Sequence, residues 1–248
     1  MNAFLRDPAV VTPADALAQR PEHAHRQIAA GQAPETLVLA HAPRLRDALV
    51  AATGAARAPF DVAAAELHLA GGVGVCWPGV GGPAAALVLE KCIAAGTRRV
   101  VSVGFGGGLV PGTRAGDVCL ALEAVPDDGV TPHYLAPGHR PQADGRESAA
   151  LAAALAPERR GTVWSTAAPY RETRDAVAAH RASGVLAVDM ETAAVLAVAA
   201  YRGVPASAVL VITDVLGDAG WRPCAPGAVD GVVARVAKGI AQHARARS

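Results

Sequence analysis

The sequence predicts one mixed α/β domain, in which a largely parallel sheet is covered by helices on both faces. Short apolar runs, typical of buried strands, alternate with helix-like segments through most of the chain. Across its 248 residues, no stretch resembles a linker long enough to separate two cores. We therefore expect an N-terminal arm at residues 1–35 and a three-layer domain at residues 36–248.

The composition excludes several classes of partner. Lys and Arg together number 23 against 22 Asp and Glu, so no basic field favours nucleic acid. Although 52% of the residues are hydrophobic, no run of about 18 apolar residues predicts a membrane span. The N-terminus carries early charges and lacks the apolar stretch of a signal peptide. We expect a cytoplasmic protein that binds a small molecule.

The four cysteines are isolated within apolar runs, without His neighbours at zinc spacing. They are predicted to be reduced core thiols, and no metal site is expected. No dinucleotide fingerprint is present either, so no organic cofactor is implied.

The first predicted strand is Thr36–Ala40, which is followed by a loop with His41 and a helix that begins near Leu45. Such a strand–helix junction suits an anion, and Arg44 and Arg46 lie close to it. Solvated helix charge is the alternative interpretation of both arginines.

A glycine cluster follows the next strands. Residues 67–70 and 73–76 are predicted to form a hairpin, and a Gly-rich turn then leads into a buried helix. The strand at residues 100–103 ends in GFGGGL, which has four glycines within residues 104–108. Glycine removes every Cβ, so a ligand could lie against the backbone there. A tight strand-to-loop turn is the alternative.

The second half repeats this alternation. Strands are predicted at residues 118–124, 161–165, 185–188 and 208–213, and helices at residues 149–156, 171–181, 191–201 and 228–244. Two carboxylates, Glu191 and Asp214, follow strands directly. Because open α/β sheets place their ligand crevice at the carboxyl ends of strands, we expect the active site at this edge. Asp189 is expected to cap the helix that follows it.

Two segments carry a family resemblance. PGVGGPAAALVLEKCIAAGTRRVVSVGFGGGLVPGTRAGDVCLALEAVPDDGVTPHY and VDMETAAVLAVAAYRGVPASAVLVITD resemble the nucleoside phosphorylase family, which includes uridine phosphorylase, bacterial purine nucleoside phosphorylase and related nucleosidases. The resemblance covers roughly residues 36–244. DDGVTPHY, YRET and the Trp after the T-D strand point to the uridine phosphorylase-like branch. The family resemblance implies that the protein assembles as a homo-oligomer, a hexamer or trimer of dimers. It also implies that the protein uses phosphate as co-substrate and needs no cofactor.

The resemblance also implies roles for individual residues. Glu191 matches the carboxylate that binds the ribose 2′- and 3′-hydroxyls, which suits a reaction through a ribosyl oxocarbenium ion. Asp214 matches the acid that protonates a leaving purine, whereas the branch details favour uridine, so the base stays open. The remaining matches are Met190 packed on the sugar, His133 near the 5′-hydroxyl, and Phe105, Gly106, Arg171 and Glu172 at the base.

The phosphate site departs from the family pattern. The family's Gly-Asp-Pro-x-Arg turn corresponds to HAPRLR here, so Arg46, or less well Arg44, would supply the cation, beside Gly104. Ser102 stands where the family has an Arg, and Phe105 where it has a Ser. A lost guanidinium removes both charge and bidentate geometry. Arg57 is expected to reach a neighbouring subunit's site.

Three functions follow from this resemblance. A phosphorylase that yields free base and ribose 1-phosphate ranks first. A hydrolytic nucleosidase that uses water ranks second, because the expected phosphate ligands are missing. A catalytically silent nucleoside-binding relative ranks third.

Overall fold

The computed structural model describes residues 9–18, 27–217 and 220–247. Its helices are α1 Pro13–Ala18, α2 Pro43–Thr53, α3 Gly82–Ala94, α4 Gly145–Leu155, α5 Arg174–Ala182, α6 Thr192–Arg202 and α7 Asp230–Arg245. Its strands are β1 Thr36–Ala40, β2 Ala56–Val62, β3 Ala65–Ala70, β4 Val73–Cys76, β5 Arg99–Gly108, β6 Val118–Asp127, β7 Arg159–Thr166, β8 Ala187–Asp189, β9 Ala206–Gly217 and β10 Gly220–Pro223. Within these described ranges, no helix is both long and apolar enough to cross a membrane.

The strands form one sheet in the order β10-β9-β6-β7-β8-β5-β1-β4-β3-β2. Strand β9 also pairs with β5, so β5, β9, β6, β7 and β8 close into a ring. The prediction of a mixed sheet is confirmed, but "largely parallel" is wrong. Half of the strand pairings between described residues are antiparallel, including β2–β3, β3–β4 and β9–β10. In the pairs β2–β3 and β3–β4, consecutive strands are joined by short turns, which force antiparallel neighbours.

Helices cover both faces, as predicted. Along β1, Leu37 and Leu39 pack into one hydrophobic cluster with α3 and α6, whereas Val38 and Ala40 pack into another with α2, α4 and α7. This alternation follows from the two-residue period of a strand. Helix α6 is buried at every position from Thr192 to Ala199, so it lies inside the domain.

The segment before β1 is partly integrated into the domain. Ile28 is 1% exposed within the first core cluster, and its backbone N–H donates to the Asp61 carbonyl at 2.8 Å. Helix α1 lies in the predicted arm, whereas residues 1–8 and 19–26 lie outside the described part of the chain. The domain boundary at residue 36 stays a prediction.

Two strands are longer than the sequence indicated. Strand β5 continues through the glycine cluster to Gly108, so these glycines are strand residues rather than a turn. Strand β9 continues through Asp214 to Gly217 and pairs with β10. Asp214 therefore projects from within a strand and not from its end. All four cysteines lie in the described residues and are unpaired.

Candidate active site

A cavity of about 560 Å³ opens where β5, β8 and β9 meet. It brings together six of the residues selected from the sequence, which are Phe105, Gly106, Glu172, Met190, Glu191 and Asp214. His41, Asp189 and Trp221 line it as well. Its side chains thus combine several carboxyl groups with an imidazole and aromatic rings, in a volume suited to a small polar ligand.

Glu191 is a buried acid of the cavity whose carboxylate is held by a backbone N–H group. It lies between β8 and α6, is 6% exposed, and accepts a hydrogen bond at Oε1 from the Gly81 backbone N–H at 2.6 Å. Gly81 has a φ of +87° and immediately precedes α3, so glycine permits the turn that aims its N–H at the carboxylate. Burial raises the pKa of Glu191, and the N–H groups of Gly81 and Met190 oppose that shift. A carboxylate has about four acceptor positions, so capacity remains for a ligand diol.

Asp189 fixes the start of α6. Its Oδ2 accepts from the Thr192 backbone N–H at 2.8 Å and from the Thr192 hydroxyl at 2.6 Å. Its Oδ1 accepts from the Ser165 hydroxyl, which in turn accepts from the Ala193 N–H. Burial, and next the charge of Glu191, raise the pKa of Asp189. The expected capping role is therefore visible, and it positions the neighbouring Glu191.

A second pair of carboxyl groups lines the same cavity. Asp214 accepts from the Trp221 indole N–H at 2.8 Å through Oδ2 and from the Thr213 hydroxyl at 3.1 Å through Oδ1. Glu172 is half-buried, and burial together with the Asp214 charge raises its pKa to about 7. At neutral pH the carboxyl group of Glu172 is thus protonated in a substantial fraction of the molecules.

The glycines of β5 allow its close contact with neighbouring strands. A Cβ on Gly107 would lie 2.4 Å from Leu216 Cδ1 and 3.0 Å from Asp214 Oδ2. A Cβ on Gly106 would lie 3.0 Å from the Val188 carbonyl oxygen. These are contacts with protein atoms, so the glycine cluster has a packing role that brings β8 and β9 to the cavity.

The cationic residues selected from the sequence lie elsewhere in this chain. Arg46 pairs with Asp47, and Arg57 pairs with Asp61 and also with Glu66 on the hairpin of β2 and β3. Arg171 ends a 3₁₀ turn, Pro169–Arg171, and does not line the cavity. None of these arginines is brought to the cavity by its own chain, so their roles in binding phosphate or base stay predictions.

Two further expectations concern His133 and Gly104. His133 lines a separate cavity of about 840 Å³, together with Tyr134 and Arg202, so it does not join Glu191 within one chain. Gly104 lies in β5 behind His41, since a Cβ there would be 3.7 Å from the His41 side chain. A ligand of the cavity would meet the imidazole before this glycine.

His41 and Ser102 were not selected as site residues from the sequence. His41 Nε2 and Ser102 Oγ are 2.8 Å apart and share a hydrogen bond. Burial lowers the pKa of His41 to about 4 against the opposing charge of Asp189, so the imidazole is neutral at neutral pH. For His41 the sequence did offer a signal, since a polar residue directly after β1 lies at the carboxyl end of a strand. Open α/β sheets place their ligands at that edge.

The fold and the cavity together define an α/β protein with a small-molecule site of buried acids at the strand ends. No group of three or more His, Cys, Asp or Glu side chains in the described residues could hold a metal ion. The model of one family, the phosphorylase superfamily, matches residues 42–246. The chain belongs to this superfamily, as the resemblance implied.

Solved structures share the fold at low sequence identity. A uridine phosphorylase from Vibrio fischeri ES114 aligns with a TM-score of 0.76 at 19% identity, covering 92% of this chain and 100% of the other. An AMP nucleosidase from Bacteroides thetaiotaomicron VPI-5482 aligns with a TM-score of 0.69 at 20% identity, covering 87% and 91%. A curated relative, the uncharacterized protein R802 of Acanthamoeba polyphaga mimivirus, is 24% identical over 139 residues. That match spans about half of each chain, 55% of this one and 54% of the relative.

Proposed function

We propose that this protein hydrolyses the N-glycosidic bond of a nucleoside and releases the free base and ribose. The observation that carries the proposal is the lining of the cavity: four carboxyl groups border it, and none of the described residues that line it is Lys or Arg. Hydrolysis ranked second on sequence alone. It now ranks above phosphorolysis because the residues that would have bound phosphate do not line the site.

Electrostatics distinguishes the two nucleophiles. Phosphate is an anion at neutral pH, and two like charges about 4 Å apart repel by roughly 4 kcal/mol at an effective dielectric constant near 20. A phosphate beside Glu191 and Asp214 would therefore need a guanidinium or ammonium group to balance that repulsion. The His41 imidazole cannot balance it, since burial keeps its pKa at about 4. Water carries no charge and meets no such barrier.

Glu191 fits the demands of glycosidic cleavage. As the bond between C1′ and the base nitrogen breaks, positive charge develops on the ribosyl ring. A carboxylate that holds the 2′- and 3′-hydroxyls stabilises this charge and fixes the sugar, and Gly81 and the start of α6 hold Glu191 in place beforehand. Met190 lies beside it and supplies an apolar surface for the sugar. The fold is shared both with a protein named as a nucleosidase and with one named as a uridine phosphorylase, so it accommodates either reaction.

The base and the assembly remain open within this proposal. Asp214 favours a purine and the uridine phosphorylase-like motifs favour uridine, so both classes belong in the substrate test. The homo-oligomer, its use of Arg57 across an interface and the cytoplasmic location stay predictions.

A nucleoside panel with and without phosphate tests the proposal. The purified protein should release base from at least one purine or pyrimidine nucleoside at the same rate with and without phosphate, and the sugar product should be free ribose. Ribose 1-phosphate, formed only when phosphate is present, would instead establish a phosphorylase. Nucleoside binding in calorimetry without any base release would establish a silent binder.

A further inference from the structure

We propose that Glu172, rather than Asp214, is the acid that protonates the leaving base. This inference rests on the proposed glycosidic cleavage. The carboxyl groups of Glu172 and Asp214 line the same cavity, but their hydrogen-bonding surroundings differ. Two carboxyl groups in one site commonly take opposite protonation states because both cannot be ionised cheaply at close range.

Asp214 is held as an acceptor. The Trp221 indole N–H donates to one of its oxygens at 2.8 Å, and the Thr213 hydroxyl donates to the other at 3.1 Å. Oδ2 also lies against the backbone of Gly107, where a Cβ would be only 3.0 Å away. An indole N–H is purely a donor, so its partner oxygen must accept. Both oxygens of Asp214 are thus engaged as acceptors, which suits a group that orients the base by accepting hydrogen bonds.

Glu172 has the opposite surroundings. It follows the 3₁₀ turn Pro169–Arg171, it is half-buried, and its carboxyl group forms no side-chain hydrogen bond with the described part of the chain. Asp214 lines the same cavity and is close enough for its charge to act on Glu172. Arg174, Asp175 and Arg181 of α5 line an adjoining cavity of about 420 Å³ that Glu172 also borders.

The balance of these groups favours the protonated form of Glu172. Burial is the larger cause and the charge of Asp214 the second, and together they raise the pKa of Glu172 to about 7. A general acid works best when its pKa lies near the operating pH. Glu172 therefore meets this condition where it borders the same cavity as Glu191.

The proposed step balances as follows. The carboxyl proton of Glu172 passes to a ring nitrogen of the base while the bond between C1′ and the base breaks, with its electron pair going to the base. The oxygen of water bonds to C1′, and the surplus proton of that water passes to solvent. Glu172 then recovers a proton from solvent, so that nucleoside and water give base and ribose.

Leaving-group dependence tests this role. The nucleoside cleaved in the panel is compared with 4-nitrophenyl β-D-ribofuranoside, whose phenolate leaves without needing a proton. Glu172→Gln should lower kcat on the nucleoside by about 10² to 10⁴-fold, the usual contribution of a general acid, and should change kcat on the nitrophenyl riboside by less than about threefold. The high-pH limb of the nucleoside rate profile, which lies near pH 7 because of Glu172, should disappear. Asp175→Asn, which removes a nearby exposed charge, should leave both substrates unaffected.

Three other outcomes overturn the inference. Equal losses on both substrates would show that Glu172 binds or positions the sugar. Unchanged rates would show that it has no role. A selective loss in Asp214→Asn instead of Glu172→Gln would assign the acid to Asp214. If base release requires phosphate, the proposed hydrolysis fails, but the ratio between the two substrates still decides the role of Glu172.

Discussion

Replacing Glu191 with alanine is the most direct test of the site. The side chain is 6% exposed, one of its oxygens is held by Gly81, and the same carboxylate borders the cavity beside Met190. The variant removes the only contact proposed for the ribose diol. We therefore expect a large loss of activity and a smaller loss of stability.

The magnitude follows from the hydrogen bonds that disappear. Two hydrogen bonds from the diol to an ionised carboxylate contribute about 1.5–3 kcal/mol each, or roughly 3–6 kcal/mol together. That loss corresponds to roughly 10² to 10⁴-fold in kcat/KM. The Gly81 N–H would also lose its acceptor, which costs about 1–3 kcal/mol of folding free energy unless water from the cavity replaces the carboxylate.

Steady-state kinetics and thermal unfolding of the same samples separate these two effects. Glu191→Gln is the matched control, because its amide oxygen can still accept from Gly81 while the charge is gone. We expect the Gln variant to unfold near the wild-type temperature and still to lose most of its activity. A Glu191→Ala variant that folds and retains kcat/KM within about threefold of wild type would refute the assignment, since that change is under 1 kcal/mol.

Three further changes give independent tests. His41 has a folded pKa of about 4 against 6.5 in the unfolded chain, so the unfolded state binds more protons between these values and stability should rise with pH there. His41→Ala should flatten that part of a curve of Tm against pH, and an unchanged slope would contradict the burial argument. Gly107→Ala should lower kcat/KM by about 10²-fold because its Cβ would displace Leu216 and Asp214, whereas Gly145→Ala, in open space, should match wild type in the same assay. Asp189→Ala should lower the free energy of unfolding in urea by roughly 2–4 kcal/mol, because Thr192 and Ser165 lose a buried carboxyl acceptor, and a loss below about 0.5 kcal/mol would contradict its anchoring role.

The sequence was most informative where local chemistry decides the structure. Helix α6 lies between a capping Asp189 and Gly203, whose φ of +68° ends the helix as glycine does at many C-termini. The apolar runs located β1, β3, β4 and the starts of β5 and β6, but not β2, whose Phe60 and Val62 also belong to the core. Glu191, which follows another apolar run, lines the cavity. These features depend on residues only a few positions apart.

The arrangement of the sheet needed information that the sequence pattern does not carry. Strand β8 is three residues long and pairs antiparallel with β5 but parallel with β7. Its few residues give no periodicity from which direction or partner could be inferred. The continuation of β9 past Asp214 depends likewise on β10, which begins after a break in the apolar pattern and is mostly exposed. Closure of the ring is therefore a property of long-range pairing.

The pair of His41 and Ser102 illustrates the same limit at the site itself. These residues are 61 positions apart in the sequence. The parallel register of β1 and β5 sets Leu39 opposite Ser102, so His41, two residues after Leu39, lies beside that serine. On the sequence, Ser102 was a departure from the family's phosphate site and His41 a loop residue. In the fold, Ser102 is 1% exposed and its hydroxyl shares a hydrogen bond with His41 Nε2, which avoids the cost of about 1–3 kcal/mol for a buried hydroxyl without a partner. The two residues therefore form one hydrogen-bonded unit at the cavity wall, and an arginine at position 102 would leave His41 Nε2 unpaired and add a buried charge beside it.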